Sequence, residues 1–214
     1  VERVPVSVAS TAYRIIQEAL TNALKYASPG PITVSVAAGA SVAAGASVLL
    51  FQRRKGASIY QQQSNPVMDA VIRQGRLRLG NAVIFPRSDS AKPLIREIRQ
   101  GTGFFNLPDM DFGERDAAFV PFFGVPAATL LAPSRMAKLL NMVVQPVIAE
   151  MLPGGQGYRV RFLPPWNDFP SDDALADTAR MNRWIEERIR ENPAQYLWVH
   201  KRFKTRPAGE PGLY

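Results

Sequence analysis

Val83-Ile84-Phe85, then Lys92 to Gln100, then Gly101, then Gly103-Phe104-Phe105-Asn106-Leu107 is the stretch that decides the fold. A short apolar run is followed by a helix-length segment, a glycine stop and a second apolar run. Two strands joined by a helix require a crossover, and crossovers of this length belong to parallel sheets. The same texture repeats outward. Pro66 to Arg78 reads as a helix with Val67, Ala70, Val71 and Gln74 on one side. Ala127 to Leu140 reads as another helix, Met142 to Glu150 as a buried strand and Tyr158 to Leu163 as an alternating strand. Ser171 is placed to cap a helix reaching Glu191, with Asp172 and Asp173 in its first turn, where the helix dipole favours them. Tyr196 to His200 reads as a final strand, and Pro108 to Asp116 as a polar loop. The predicted class is therefore α/β, a layered and mostly parallel sheet with helices on both faces.

Towards the N-terminus the texture changes. Ala12, Ile15, Ile16, Ala19, Leu20, Ala23, Leu24 and Ala27 follow the spacing of one helical face. Ile32 to Val36 then alternates like a strand. Val36 to Ser41 is repeated at once, residue for residue, by Val42 to Ser47. A tandem hexamer is low-complexity sequence, and two copies are too few for a solenoid. It is expected to be an irregular connector, with Val48 to Phe51 a short strand after it. Ile32 to Phe51 is long enough and uncharged enough for a membrane span, but its Ala, Gly, Ser and Thr content gives little hydrophobic gain. The chain divides into three zones: 1–35, a seam over 36–57, and 58–214.

The 214 residues carry a net charge of +8, of which about +7 falls in 53–99 and about +3 in 196–214. Such bands attract phosphates on lipid, nucleic acid or an acidic protein, or are simply a solvated surface. No nucleic-acid motif accompanies them, and nucleic acid is not an expected partner. There is no cysteine and one histidine, which excludes thiolate chemistry and any mechanism needing two imidazoles.

Gln195-Tyr196-Leu197-Trp198-Val199-His200-Lys201-Arg202-Phe203-Lys204-Thr205-Arg206-Pro207 closely resembles the C-terminal signature of bacterial lipid A lauroyl/myristoyl acyltransferases. Six further stretches match that family in order. They are Ile59-Tyr60; Asn65-Pro66 with Asp69; Arg73 to Arg78; Leu107-Pro108-Asp109-Met110-Asp111-Phe112-Gly113; and Phe119 to Gly124, followed by the Met181-Asn182 helix. The resemblance covers about 155 residues. It implies a glycerolipid-acyltransferase-like fold whose N-terminal part is incomplete here. It also implies transfer of a fatty acyl chain from acyl carrier protein or coenzyme A to a hydroxyl of a phosphorylated glucosamine disaccharide, with no metal or bound cofactor expected. The work would take place peripherally at the cytoplasmic face of the inner membrane, on an anionic surface.

Within that resemblance Arg73, Arg76 and Arg78 are candidates for holding phosphate, because guanidinium pairs with it in two-pronged fashion. The alternative for Arg76 is an internal salt bridge to Asp109 or Asp111. Those two carboxylates are expected to be scaffold beside the site. The family's H-x4-[DE] motif, in which a histidine takes the proton of the acceptor hydroxyl, has no counterpart. Its place is taken by the hexamer repeat, and no histidine precedes position 200. His200 lies between Val199 and Lys201 with no acidic neighbour in sequence, so a packing role is expected. No catalytic residue is assigned, and acyl transfer by this chain is expected to be nearly absent. A non-catalytic basic domain using Arg53–Lys55, Arg73–Arg78 and Lys201–Arg206 on anionic lipid is the other functional reading.

Residues 12–27 resemble something else, the N-box helix of sensor histidine kinases, with Glu18 and Asn22 at its functional positions and Tyr26 in place of the usual histidine. The glycine-rich lid boxes that should follow are missing, so no nucleotide pocket is expected. An amphipathic packing helix accounts for the same residues. The sequence as a whole reads as a chimera.

Overall fold

The computed structural model describes residues 34–38, 55–77, 81–152 and 158–214. In chain order the elements are β1 (Val34–Ala38), β2 (Gly56–Tyr60), α1 (Pro66–Leu77), β3 (Ala82–Pro86), α2 (Lys92–Arg99), β4 (Gly103–Asn106), β5 (Ala117–Phe122), β6 (Val125–Leu130), α3 (Ala132–Leu139), β7 (Val144–Met151), β8 (Tyr158–Phe162) and α4 (Ala174–Glu191). Six strands form one sheet in the order β3-β2-β4-β1-β7-β8. All neighbours are parallel except β7 and β8, which are antiparallel. The mixed helix-and-strand architecture is the α/β class expected.

The β3–α2–β4 unit has the local chemistry its sequence predicts. Pro93 opens α2, where its missing N–H costs nothing. At the other end Gly101 takes a φ of 85°, its N–H bonds the Ile98 carbonyl at 2.9 Å, and the Thr102 N–H bonds the Glu97 carbonyl at 3.1 Å. That pair is a Schellman ending, which favours glycine at the left-handed position. Leu94 is then buried against Ala57 and Phe104. α1 begins on the Asn65 side chain, whose Oδ1 accepts from the N–H groups of Val67 (2.9 Å) and Met68 (3.2 Å), with Pro66 next. The asparagine–proline pair is thus a helix start. The expected apolar side of α1 is largely open to solvent: Val67 is 69 % and Val71 38 % exposed.

Several expectations are corrected. Ala127 to Leu140 is not one helix. Residues up to Leu130 are β6, paired antiparallel with β5 through a two-residue turn at Phe123-Gly124, and both turn residues have positive φ (50° and 77°). That is the twist a tight hairpin demands. Alanine content suggested helix, but Ala127, Ala128 and Thr129 are small because they are completely buried. Helix α4 is capped by Asp173, which accepts from the N–H groups of Leu175 (2.9 Å) and Ala176 (3.0 Å). Ser171 instead accepts from the Asp173 N–H. Tyr196 to His200 is not a strand: a 3-10 turn at Pro193–Gln195 runs into successive tight turns that bury Tyr196 and leave Trp198 and Val199 exposed.

Strand β2 escaped the sequence reading, since Gly56-Ala57-Ser58 carries little hydrophobic signal. The repeat is not wholly connector: its first residues, Val36 to Ala38, are strand, in register with Pro146, Val147 and Ile148 of β7. Residues 39–54, the expected strand Val48 to Phe51, the helix over 12–27, and the turn at Pro153 to Gly155 lie outside the described residues. Among the described residues no helix is long and apolar enough to cross a membrane.

Candidate functional site

In an open parallel sheet, ligands bind at the carboxyl ends of the strands, where side chains from several loops converge. Here that edge carries Tyr60 at the end of β2, Arg87 just after β3, and the loop Leu107 to Gly113 just after β4. Tyr60 is buried and donates to Asp69 Oδ2 at 3.4 Å. Asp69 Oδ1 accepts from the Gln63 N–H at 2.9 Å, so the carboxylate ties the β2–α1 loop together. Arg76, in the last turn of α1, is half-buried. Burial pulls its guanidinium below the ordinary value, with Tyr60 opposing; an arginine so placed stays charged at neutral pH. Arg73, three residues earlier, is exposed. Arg78 lies outside the described residues.

Arg87 was not among the candidates read from sequence. Its guanidinium sits 4.1 Å from the centre of the Phe112 ring and its Nη2 donates to the Phe112 carbonyl at 3.4 Å. It thereby holds the outer end of the acidic loop. The signal in the sequence was its position directly after an apolar strand.

The two carboxylates of the loop face the C-terminal signature. Asp111 Oδ2 accepts from the Thr205 N–H at 2.7 Å, and Oδ1 accepts from the Thr205 hydroxyl at 2.8 Å and the Gly113 N–H at 2.9 Å. Burial resists its ionisation, but the bonds from Thr205 and Gly113, with Arg202 nearby, outweigh that and hold the carboxyl below its usual value. Asp109 is buried at 3 % exposure. Burial, and then the Asp109 carboxylate beside it, push the Tyr196 phenol well above its usual range.

His200 is part of the same clasp. Its Nε2 accepts a hydrogen bond from the Asp111 N–H at 3.0 Å. The lone pair that a general base needs is therefore in use, and the proton of the neutral ring must sit on Nδ1. Burial, then Arg202, lower its pKa, which keeps the ring neutral and suits the acceptor role.

Arg202 goes deeper still, at 2 % exposure. It donates to the Ala128 carbonyl at 2.7 Å and the Thr129 hydroxyl at 2.6 Å, and lies 5.1 Å from the Phe122 ring centre. Asn182 of α4 reaches the same hydroxyl at 3.3 Å and the Pro121 carbonyl at 3.1 Å. Arg206 donates to the Pro126 carbonyl at 2.7 Å and pairs with Glu210. The tail arginines thus pin the signature to the β5–β6 hairpin. The expectation that Lys201–Arg206 offers its charge to a lipid surface is corrected for Arg202 and Arg206, which are used internally. Lys55 likewise pairs with Glu97 at 2.5 Å; Arg53 and Arg54 lie outside the described residues. Among the described residues no group of three or more acidic or histidine side chains is arranged to hold a metal.

A family model, that of the bacterial lipid A biosynthesis acyltransferases, matches residues 15–205. The chain belongs to this family. Among curated lipid A acyltransferases it is 38% identical to the lipid A biosynthesis lauroyltransferase of Escherichia coli K12 over 160 residues, 74% of this chain and 52% of that protein. It is 35% identical to the lipid A biosynthesis myristoyltransferase of the same organism over 167 residues, 77% of this chain and 51% of that protein. A lipid A biosynthesis acyltransferase of Haemophilus influenzae is 35% identical over 162 residues, covering 74% and 51%. The chain spans about half the length of the curated relatives it matches. The acyltransferase match runs across residues 36–57 as well as the α/β region.

Proposed function

We propose that this lipid A acyltransferase chain carries the anion-binding side of a site that passes a fatty acyl group from a carrier-protein or coenzyme A thioester to a hydroxyl of a phosphorylated lipid A precursor. In that reaction the thioester C–S bond breaks, an ester C–O bond forms, and the hydroxyl proton leaves to a base. Arg76, with Arg73 and Arg78 on the same segment, holds substrate phosphate; Asp109 and Asp111 are scaffold. The observation that supports this reading is the half-buried guanidinium of Arg76 in the last turn of α1, within electrostatic reach of Tyr60. A charge drawn partly out of water is strongest toward an anionic group. A layered glycerolipid-acyltransferase-like fold at the cytoplasmic face of the bacterial inner membrane, bound peripherally, is the setting the reading requires.

The test has two arms. Arg76→Glu is expected to weaken binding to vesicles containing a phosphorylated lipid A precursor, most clearly at low salt; equal binding by both proteins would make Arg76 a structural residue. For turnover, His200 is the one imidazole in the chain and its Nε2 is engaged by Asp111. Transfer from lauroyl carrier protein is therefore expected to run at least about 10²-fold below an intact relative, the scale of lost general-base help. Replacing residues 1–58 with a relative's segment that carries H-x4-E should restore it. Full activity of the chain as it stands would mean that another group acts as base.

A further inference from the structure

A row of exposed cations lies along α2. Lys92, Arg96 and Arg99 are all exposed. Their i, i+4, i+7 spacing puts them in one row about 10 Å long on a single helix face. Among the described residues no carboxylate lies within ion-pair distance of any of the three. The one acidic residue of the helix, Glu97, is turned away to Lys55 and Thr102. The row lines a shallow concavity with Ile95 and Gln100. On α3, Arg135 is exposed while Met136 packs on the same cluster as Leu94.

Two properties decide what such a row fits. First, α2 has no large exposed hydrophobic: Leu94 is 2 % exposed, and Ile98 packs inward against the Leu94 cluster. A helix that lies in a membrane interface needs an apolar face to insert, and this one keeps its apolar side in the core. Second, the row starts at the sheet edge that carries Tyr60, Arg87 and the acidic loop, since Lys92 follows the end of β3 by six residues. A partner held on it is placed beside the candidate site.

We propose that the exposed face of α2 docks an acidic, helical protein surface, and that this is how a protein-borne acyl donor is held. This rests on the acyl-transfer reading above. Cations spaced three and four residues apart match carboxylates at the same helical spacing, and charge complementarity of this kind governs encounter rate and orientation.

The experiment measures binding of the full chain to fluorescently labelled lauroyl carrier protein and, separately, to phosphatidylglycerol vesicles. The Lys92→Gln/Arg96→Gln/Arg99→Gln variant is expected to lose about tenfold or more in carrier-protein affinity, with vesicle binding and melting temperature unchanged. An Arg96→Lys/Arg99→Lys variant, which keeps the charges, should bind as the parent does. Undiminished carrier binding by the neutral variant overturns the proposal, as does a loss confined to vesicles, which would assign the row to lipid. If the parent chain fails to bind carrier protein yet binds precursor-containing vesicles through Arg76, the docking proposal falls and the acyl-transfer reading stands. If it does neither, both fall.

Discussion

Arg202 and the Lys92-Arg96-Arg99 row carry the same charge and serve opposite ends. Arg202 is buried, with two of its nitrogens bonded to the β6 backbone and Thr129. The α2 row is exposed and touches no carboxylate among the described residues. Sequence composition weighs them equally, as two basic bands. What separates them is the neighbour each meets after folding. Arg202 follows a chain of tight turns that aims it at the small, buried residues of β6. The α2 cations stand on the side of a helix whose other side is Leu94 and Ile98. A basic tail is therefore weak grounds for an anion site, while a basic helix face with its apolar half already buried is better grounds.

The comparison is tested most severely at Arg202. Arg202→Met removes a buried charge and leaves the Ala128 carbonyl without that donor. Hydrogen bonds from a charged donor are worth about 1.5–3 kcal/mol each, and urea unfolding should show a loss of about 3 kcal/mol or more for the two. A near-neutral result would place Arg202 with the surface cations. Thr129→Val takes the acceptor from both Arg202 and Asn182 while keeping the side-chain shape. About 2 kcal/mol is expected, the scale of leaving buried donors unmatched, and a double-mutant cycle with Asn182→Ala should show the two effects to be non-additive.

Asp111→Asn weakens the clasp to Thr205 and Gly113. Roughly 1–2 kcal/mol is expected, because bonds to an ionised group exceed neutral ones, and proteolysis at the C-terminal end should quicken. Acid should act on the same clasp in two steps. His200 has a folded pKa lowered by burial and then by Arg202. Its contribution is complete above the unfolded value of about 6.5 and is lost as pH falls below it. Asp111 has a lowered folded pKa too; its contribution is present above about 3.9 and disappears as pH falls further. His200→Gln should remove the first step from a stability–pH profile and leave the second. The smallest effect belongs to the α2 row: the triple glutamine variant should shift stability by no more than about 0.5 kcal/mol, as exposed substitutions do. A larger loss would show that the row supports the fold.

Legibility in the sequence followed the range of the interactions. The β3–α2–β4 unit was readable because its signals are local: an apolar run, a proline at the helix start, Gly101 in a left-handed ending. The start of α1 was readable in Asn65-Pro66 for the same reason. The β5–β6 hairpin was misread because Ala127-Ala128 favours helix on its own, and burial between a helix and an arginine outweighed that preference. In the site, Arg76 and the Asp109–Asp111 loop could be named from their motifs. Arg87, Thr129 and Asn182 could not, since each matters through a partner 25 or more positions away.

By itself the sequence determined the α/β class, the family, the tandem hexamer, and the lack of any histidine before position 200. Periodicity, motif order and residue counts hold whatever the chain does in space. Tertiary structure alone decided which charges remain available. It turned Arg202 and Arg206 inward onto backbone carbonyls, gave the His200 lone pair to the Asp111 N–H, and left Lys92, Arg96 and Arg99 outside. A charge acts on what lies within a few ångströms of it, and residues separated by 70 to 90 positions become neighbours only when the chain folds.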